Sequence, residues 1–237
     1  MGNIFRFFLF SVFAMIMVGC SSAKNEMTCE EILDLAYKDS SLNNFEKNKF
    51  KDLLSNRYPK YDEMFNDASI ETNIEKNLLA AISFQESQWD PRAKSSMGVR
   101  GMMMVTLETA ALVGVEKRLN PEQNIKGGAR YFAILKDKNK IGPSEADKLS
   151  IVLASYNLGP TNIIKIANHI DTNLENVTWI KLRDRLKETK NEEFNMMDGD
   201  SYSRAQQAIN YVDRVKDYYR LMSAHTCVQP KDQLIFF

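Results

Sequence analysis

Apolar and polar residues alternate along most of this chain with the spacing of amphipathic helices. One helical face is formed by Ile74, Leu78, Leu79 and Ile82. Glu86 follows Ile82 by four residues and therefore extends that face. Thr72 and Glu75 have the spacing of a capping box, and Pro91 favours a helix end before it. The pattern predicts a helix over residues 74–86, with Glu86 in its last turn.

The same spacing predicts helices over residues 30–38, 45–58, 102–113, 121–136, 144–156, 161–170, 177–186 and 203–222. Asn120 and Ser144 are the predicted caps of two of them. Residues 59–69 are predicted to be a connection, and residues 191–200 are the least regular segment. Since no convincing set of strands emerges, we predict a mainly α fold.

Composition narrows the class of protein. The chain has 237 residues, of which 44% are hydrophobic and 26% are charged, as in ordinary globular proteins with one good core. Lysine plus arginine and aspartate plus glutamate are equal, at 31 each. This balance gives no electrostatic basis for binding nucleic acid, so no nucleic-acid partner is predicted.

The first residues have the layout of an export signal. Arg6 precedes an apolar run over residues 7–18, and Cys20 and Ser21 follow. This resembles a bacterial lipoprotein signal over residues 1–19, which implies a lipid anchor at Cys20. Ser21 fits outer-membrane sorting with the protein facing the periplasm. An ordinary signal peptide with an incidental cysteine is the alternative.

Two further cysteines, Cys29 and Cys227, remain once Cys20 is assigned to the anchor. An even pair in an exported protein suggests one disulfide, here between the two ends of the mature domain. Two free thiols are the alternative.

The sequence lacks the residue patterns that several kinds of reaction require. His169 and His225 have no Cys/His ligand spacing around them, so no metal site is predicted. No serine lies in a nucleophile-elbow pattern, and no phosphate-binding loop is present. We therefore expect no cofactor.

Glu86 is the strongest candidate for chemistry. A carboxyl that continues an apolar stripe loses water, and the negative end of its helix lies nearby. Both effects raise its pKa, as a general acid near neutral pH requires. The alternative is a solvated residue at a helix end.

A series of short motifs starts at Glu86 and follows in a particular order: Glu86-Ser87, Trp89-Asp90-Pro91, Gly98-Val99-Arg100-Gly101-Met102-Met103-Met104, Gly127-Gly128, Ser155-Tyr156-Asn157-Leu158-Gly159 and Tyr211-Val212-Asp213-Arg214-Val215. Over residues 70–222 this series resembles the soluble-lytic-transglycosylase (SLT) domain family, whose fold is similar to goose-type lysozyme. The resemblance divides the chain into a signal (1–19), a tether and N-terminal helical extension (20–69), a catalytic domain (70–227) and a tail (228–237).

The resemblance implies roles for individual residues. Glu86 corresponds to the family's catalytic acid/base. The implied substrate-binding residues are Ser95, Met104, Tyr156, Asn157 and Tyr211. Most members have glutamine where this chain has Met104, and the sequence around it is similar to the branch called membrane-bound lytic murein transglycosylase F. Packing and helix capping are the alternative roles of Tyr156 and Asn157, and loop capping is the alternative role of Ser95.

The implied reaction needs only one carboxyl. Glu86 would cleave the MurNAc–GlcNAc β-1,4 bond of peptidoglycan strands, and the C6 hydroxyl of the sugar would then form a 1,6-anhydro end. A hydrolytic muramidase and a non-catalytic peptidoglycan-binding lipoprotein are the alternatives. Residues 23–70 are the one candidate surface for other cell-envelope proteins.

Overall fold

The computed structural model describes residues 27–96, 98–189 and 204–227. Its helices are α1 (Cys29–Asp39), α2 (Asn44–Asn56), α3 (Asp62–Thr72), α4 (Lys76–Ser87), α5 (Leu107–Val113), α6 (Pro121–Lys138), α7 (Glu145–Leu158), α8 (Pro160–Asn168), α9 (Trp179–Glu188) and α10 (Arg204–His225). Short 3₁₀ turns occupy Tyr58–Lys60 and Leu174–Asn176. The prediction of a mainly α fold is confirmed. The predicted signal, Cys20, residues 191–200 and the tail lie outside the described residues.

The predicted start of the central helix is wrong. Thr72 is the last residue of α3, and its hydroxyl donates to the Ala68 carbonyl at 2.7 Å instead of capping a new helix. Asn73 then adopts a left-handed conformation (φ 55°), which ends α3. Consequently α4 starts later, at Lys76, and Glu75 precedes it without a side-chain capping bond.

The predicted connection over residues 59–69 is also wrong, because most of it lies in α3. Phe65 and Ala68 are three residues apart and fully buried, so they form the inward face of this helix. The boundary predicted between residues 69 and 70 falls inside α3.

The predicted helix over residues 102–113 is wrong in its first half. Gly101 (φ 83°) and Met104 (φ 46°) are both left-handed, so the chain turns instead of coiling. The helix starts at Leu107, where the Thr106 hydroxyl accepts a hydrogen bond from the Thr109 amide at 2.9 Å.

The core lies around α4. Every residue of this helix from Asn77 to Phe84 is buried, and α10 and α3 pack against it. Trp89, just beyond α4, is fully buried and donates its indole N–H to the Ala80 carbonyl at 2.9 Å. Phe50 of α2 contacts both Phe84 and Trp89. The N-terminal segment therefore contributes directly to the core.

The N-terminal segment follows α10 along a series of polar contacts. Cys29 and Cys227 are joined as a disulfide, with their Cα atoms 5.4 Å apart. Tyr37 hydrogen-bonds His225 at 2.8 Å, and the Ser41 amide donates to Asp217 at 3.1 Å. None of the described helices combines the length and the apolar character needed to span a bilayer.

Candidate active site

Glu86 lies in the last turn of α4, next to an abrupt change of chain direction. Gln88 (φ 55°) and Trp89 (φ 58°) are both left-handed, and the Gln88 amide donates to the Phe84 carbonyl at 2.8 Å. Burial of the Trp89 ring stabilises this unusual backbone, because the ring can reach the core only if the helix stops here. The turn leaves Glu86 at the exposed edge of an otherwise buried helix.

The surroundings of Glu86 favour its neutral form. Loss of water around the carboxyl raises its pKa to about 7, and a smaller opposing effect comes from the Tyr211 hydroxyl, whose hydrogen bond favours the charged form. Part of the residue surface remains accessible, as contact with a substrate requires. Glu86 can thus hold a proton near neutral pH and still reach a ligand.

Tyr211 of α10 and Asn157 at the end of α7 each have a polar side-chain atom in a buried position. Both the Tyr211 hydroxyl and the Asn157 side-chain oxygen are buried. Within the described residues the Tyr211 hydroxyl has only its weak interaction with Glu86, and the Asn157 oxygen has no hydrogen-bond partner. Both residues line a pocket of about 350 Å³. The Asn157 oxygen can therefore accept a hydrogen bond from a ligand or from water in this pocket, and the Tyr211 hydroxyl lies between the same pocket and Glu86.

Tyr156 also lies close to the Glu86 carboxyl, but its hydroxyl, unlike that of Tyr211, forms a hydrogen bond to the backbone. Its hydroxyl donates to the Met103 carbonyl at 2.8 Å. Burial raises its pKa well above the usual range, and the charge of Glu86 adds to this effect. Tyr156 therefore fixes the loop at Met103 and retains an acceptor lone pair for a ligand.

The loop that carries Met104 is attached tightly to α4 and α6. Ser83 and Ser87 donate to the Met102 carbonyl at 3.1 and 2.8 Å, and Asn124 accepts from the Met103 amide at 2.7 Å. A Cβ at Gly128 would lie 2.4 Å from Met103, so glycine allows α6 to approach the loop. This attachment leaves Met104 partly accessible while Met102 and Met103 are fully buried.

Ser95 has a local role in the structure. Its hydroxyl accepts from the Val99 amide at 3.2 Å, and its own amide donates to the Val99 carbonyl at 3.0 Å. These bonds close the turn that contains Gly98 (φ 77°). The structure brings Glu86, Tyr156 and Tyr211 together, with Asn157 lining the same pocket as Tyr211, whereas the Ser95 side chain is engaged in its own loop.

Sequence reasoning missed most of the pocket lining, namely Gln85, Gln207, Asn210 and Arg214. Gln207 and Arg214 lie four residues before and three residues after Tyr211, so helical spacing from Tyr211 was the available signal. Within the described ranges, no group of three or more His, Cys, Asp or Glu side chains is arranged to hold a metal ion.

Comparison with known proteins identifies the segment that carries Glu86. The family model of the transglycosylase SLT domain matches residues 63–176. The chain is 35% identical over 178 residues to membrane-bound lytic murein transglycosylase F 1 of Alkalilimnicola ehrlichii, an alignment that covers 73% of this chain and 35% of that protein. It is 35% identical over 173 residues to membrane-bound lytic murein transglycosylase F of Vibrio cholerae, covering 73% of this chain and 32% of that protein. The chain thus spans about a third of the length of these relatives.

Two solved structures are also similar. An inactive variant of lytic transglycosylase Slt from Pseudomonas aeruginosa matches 86% of this chain and 32% of that chain, with a TM-score of 0.48 and 17% identity. The 70-kDa soluble lytic transglycosylase of Escherichia coli matches 75% of this chain and 25% of that chain, with a TM-score of 0.48 and 19% identity. On the family match and the sequence relatives, residues 63–176 of this chain belong to the transglycosylase SLT domain family.

Proposed function

We propose that this protein is a peptidoglycan lytic transglycosylase in which Glu86 is the single acid/base. The observation that carries the proposal is a carboxyl with a pKa of about 7 that contacts Tyr211, a residue lining a pocket together with the buried, unpartnered side-chain oxygen of Asn157. A group with this pKa is protonated in a large fraction of molecules at neutral pH and can donate that proton in the transition state. Family membership and the names of the relatives support the same reaction class.

In the proposed reaction Glu86 donates its proton to the glycosidic oxygen, and the bond between that oxygen and C1 of MurNAc breaks. The C6 hydroxyl of the same sugar attacks C1, and its proton passes to the Glu86 carboxylate. The products are a free GlcNAc hydroxyl and a 1,6-anhydroMurNAc end, so no water is consumed and Glu86 returns to its protonated state. The attack is intramolecular, which favours it over attack by water.

The nearby carboxylates are poorly suited to a two-carboxylate mechanism. The Asp90 side chain accepts from the Arg92 amide at 2.9 Å and is part of the loop after α4. Glu108 is exposed in the first turn of α5. Glycosidases that use water or a protein nucleophile need a second carboxyl held opposite the first. Hydrolysis is therefore the less favoured alternative.

Tyr211 and Asn157 are the proposed binding groups for the substrate. The Tyr211 hydroxyl can donate to a sugar oxygen beside Glu86, and the Asn157 side-chain oxygen can accept from a hydroxyl or an amide N–H. Met104 offers an apolar surface beside them, and Ser95 acts through the shape of its loop.

We further propose that the protein acts in the cell envelope and is anchored through a lipid on Cys20. The relatives are named as membrane-bound enzymes, and the lipoprotein-like signal precedes the cysteine. Replacing Cys20 with alanine is expected to move the exported protein from the detergent phase to the aqueous phase in a Triton X-114 partition. An unchanged partition would contradict the anchor.

Product mass tests the reaction. Purified protein is incubated with purified peptidoglycan, and the released fragments are analysed by mass spectrometry with and without borohydride reduction. Anhydro ends are lighter than hydrolysis products by one water and resist reduction. Fragments with reducible ends would instead establish a hydrolase, and the absence of any fragment would favour a binding protein.

A further inference from the structure

We propose that Arg214 binds a carboxylate of the glycan substrate and that Glu46, from α2, orients the Arg214 guanidinium for this contact. The inference rests on the proposed function for the identity of the substrate. Neither residue lies in the segment that matches the family, residues 63–176.

Arg214 belongs to the wall of the catalytic pocket. Gln207, Tyr211 and Arg214 are spaced by four and three residues on α10, so they share one face of that helix. All three line the pocket together with Asn157. Among the described residues that line it, Arg214 is the one charged side chain, and the others carry amides or a phenol. The described lining of the pocket therefore contains a single positive charge, three residues along α10 from Tyr211, which contacts the proposed acid.

Glu46 fixes the position of that charge. One carboxylate oxygen of Glu46 pairs with the Arg214 guanidinium. The other oxygen accepts from the Asn43 amide at 3.0 Å and so completes the capping box of α2. The Glu46 side chain is only 15% exposed, whereas the Arg214 side chain is 43% exposed. A partly buried carboxylate that is held by two partners thus orients a more accessible cation.

Arg214 has donors left for a ligand. The Tyr218 hydroxyl also interacts with the guanidinium, and it approaches from the same helix. A guanidinium has five N–H donors in a planar fork, and one carboxylate uses at most two of them. The rest of the fork can form charge-assisted bonds with a second anion on the pocket side.

The glycan substrate supplies such an anion. MurNAc differs from GlcNAc by a lactyl ether that ends in a carboxyl group. In a peptide-free strand this carboxyl is ionised, and in a stem-bearing strand it forms an amide to a peptide that carries carboxylates of its own. A neutral GlcNAc oligomer has no carboxylate at all. Arg214 would therefore separate muramyl glycans from chitin-type glycans.

Binding to the full protein carrying Glu86→Gln tests the inference without turnover. Three ligands are titrated by calorimetry: stem-bearing glycan strands, strands freed of peptide, and a chitooligosaccharide of matched length. Arg214→Ala is expected to weaken carboxylate-bearing strands about tenfold, the loss typical of one charge-assisted bond, and to change chitooligosaccharide binding less than about twofold. Arg214→Lys should recover part of the loss, because it retains the charge without the fork.

The two strand types identify the source of the carboxylate. A loss confined to peptide-free strands assigns the lactyl carboxyl, and a loss confined to stem-bearing strands assigns the peptide. An equal loss for all three ligands, or no loss for any of them, would overturn the inference.

Glu46→Gln tests the orienting role, because glutamine retains the capping oxygen of α2 but removes the charge next to Arg214. We expect binding of carboxylate-bearing strands to weaken about threefold, with no further loss when Arg214→Ala is already present. Glu31→Gln is the matched control. Glu31 forms the same kind of capping box in α1 with Thr28, so its substitution should leave all three affinities unchanged. Equal effects of both substitutions, or additive effects of Glu46→Gln and Arg214→Ala, would refute the coupling.

Failure of this inference and failure of the proposed function are distinguishable. If the wild-type protein releases anhydro products but Arg214→Ala leaves ligand selectivity unchanged, the reaction stands and the role of Arg214 is refuted. If selectivity depends on Arg214 but no anhydro product forms, the binding role stands and the proposed reaction is refuted.

Discussion

A glutamate lies next to a tyrosine at each end of α4, but the two pairs have different environments. Glu75 precedes the helix and Glu86 ends it, and each faces a buried tyrosine of the antiparallel helix α10. Tyr219 donates its hydroxyl to Glu75. Tyr211 lies next to Glu86, yet its hydroxyl has no hydrogen bond of good geometry in the described part of the chain.

The two glutamates differ in which end of the helix they occupy and in whether the neighbouring tyrosine forms a hydrogen bond of good geometry. The amino end of a helix favours a negative charge, and the carboxyl end disfavours it. Glu75 has its tyrosine bond at the favourable end, whereas Glu86 loses water at the unfavourable end and its pKa rises to about 7. We therefore interpret the Glu75–Tyr219 pair as structural and propose that the Glu86–Tyr211 pair is the reactive one.

Cavity size would have pointed to the wrong end. A cavity of about 810 Å³ lies beside Glu75 and Tyr219, and Glu86 is not in its lining. The pocket beside Tyr211 is about 350 Å³. Glu86 is not in the lining of the smaller pocket either, but Tyr211, which its carboxyl contacts, is, and we therefore propose that the chemistry takes place at the smaller one.

The largest expected effect is a difference in activity between the Glu86 and Glu75 variants. Glu86→Gln should reduce the release of glycan fragments by at least about 10²-fold, since an amide cannot donate the proton. Glu75→Gln is the matched control, because its amide oxygen can still accept from Tyr219. Fragment release is measured by chromatography at neutral pH. Comparable losses in both variants would remove the functional distinction between the two ends.

The second-largest expected effect concerns the disulfide, which lies near the Glu75 end of α4. Cys29 and Cys227 enclose almost the whole domain, and Thr226 beside them accepts a hydrogen bond from Asn77 of α4 at 3.0 Å. Replacing both cysteines with serine should lower the free energy of unfolding by about 3 kcal/mol, mainly by loosening the unfolded chain. The pH dependence of activity should not change, because Glu86 is at the other end. Free thiols in the non-reduced protein, or an unchanged unfolding midpoint, would contradict the pairing.

The third effect is the dependence of stability on pH. The pKa of Glu86 is higher in the folded state, at about 7, than its model value of 4.5. Its contribution to stability is therefore complete below pH 4.5 and is lost as the pH rises through 7. Glu86→Gln does not titrate, so it should be more stable than wild type at pH 8 by roughly 3 kcal/mol and similar to wild type at pH 4. Urea unfolding at both pH values measures the difference, and a gap independent of pH would argue against a raised pKa.

The smallest effect distinguishes the two tyrosines. Tyr219→Phe removes the hydrogen bond to Glu75 and should cost about 1 kcal/mol of stability. Tyr211→Phe removes a buried hydroxyl without a good partner, so stability should change little. Because Tyr211 lowers the pKa of Glu86, its loss should move the alkaline limb of the activity profile to higher pH. A shift in the profile with Tyr219→Phe instead would reverse the assignment.

Helices with standard start signals could be predicted from the sequence. Asn120 followed by Pro121 starts α6, and Ser144 caps α7, as expected. The errors occurred where residues other than glycine are left-handed, at Asn73 and Met104. Such backbone is stabilised by tertiary packing, which local patterns do not report.

The residues of the candidate site were also predictable only in part. Family motifs drew attention to Glu86, Tyr156 and Tyr211, and the structure brings them together. Arg214 lies in the last motif of the series, but the resemblance implied no role for it, and its partner Glu46 is far away in the sequence. Long-range pairs of this kind become visible only when the chain is folded.

The central claim is that Glu86 holds a proton near neutral pH, and its titration tests this most directly. Protein with ¹³C-labelled glutamate carboxyl carbons is titrated by NMR, and Glu86→Gln identifies the resonance of this residue. We expect the resonance missing from the variant to titrate with a pKa near 7. A titration near 4.5, the ordinary value for glutamate, would contradict the account.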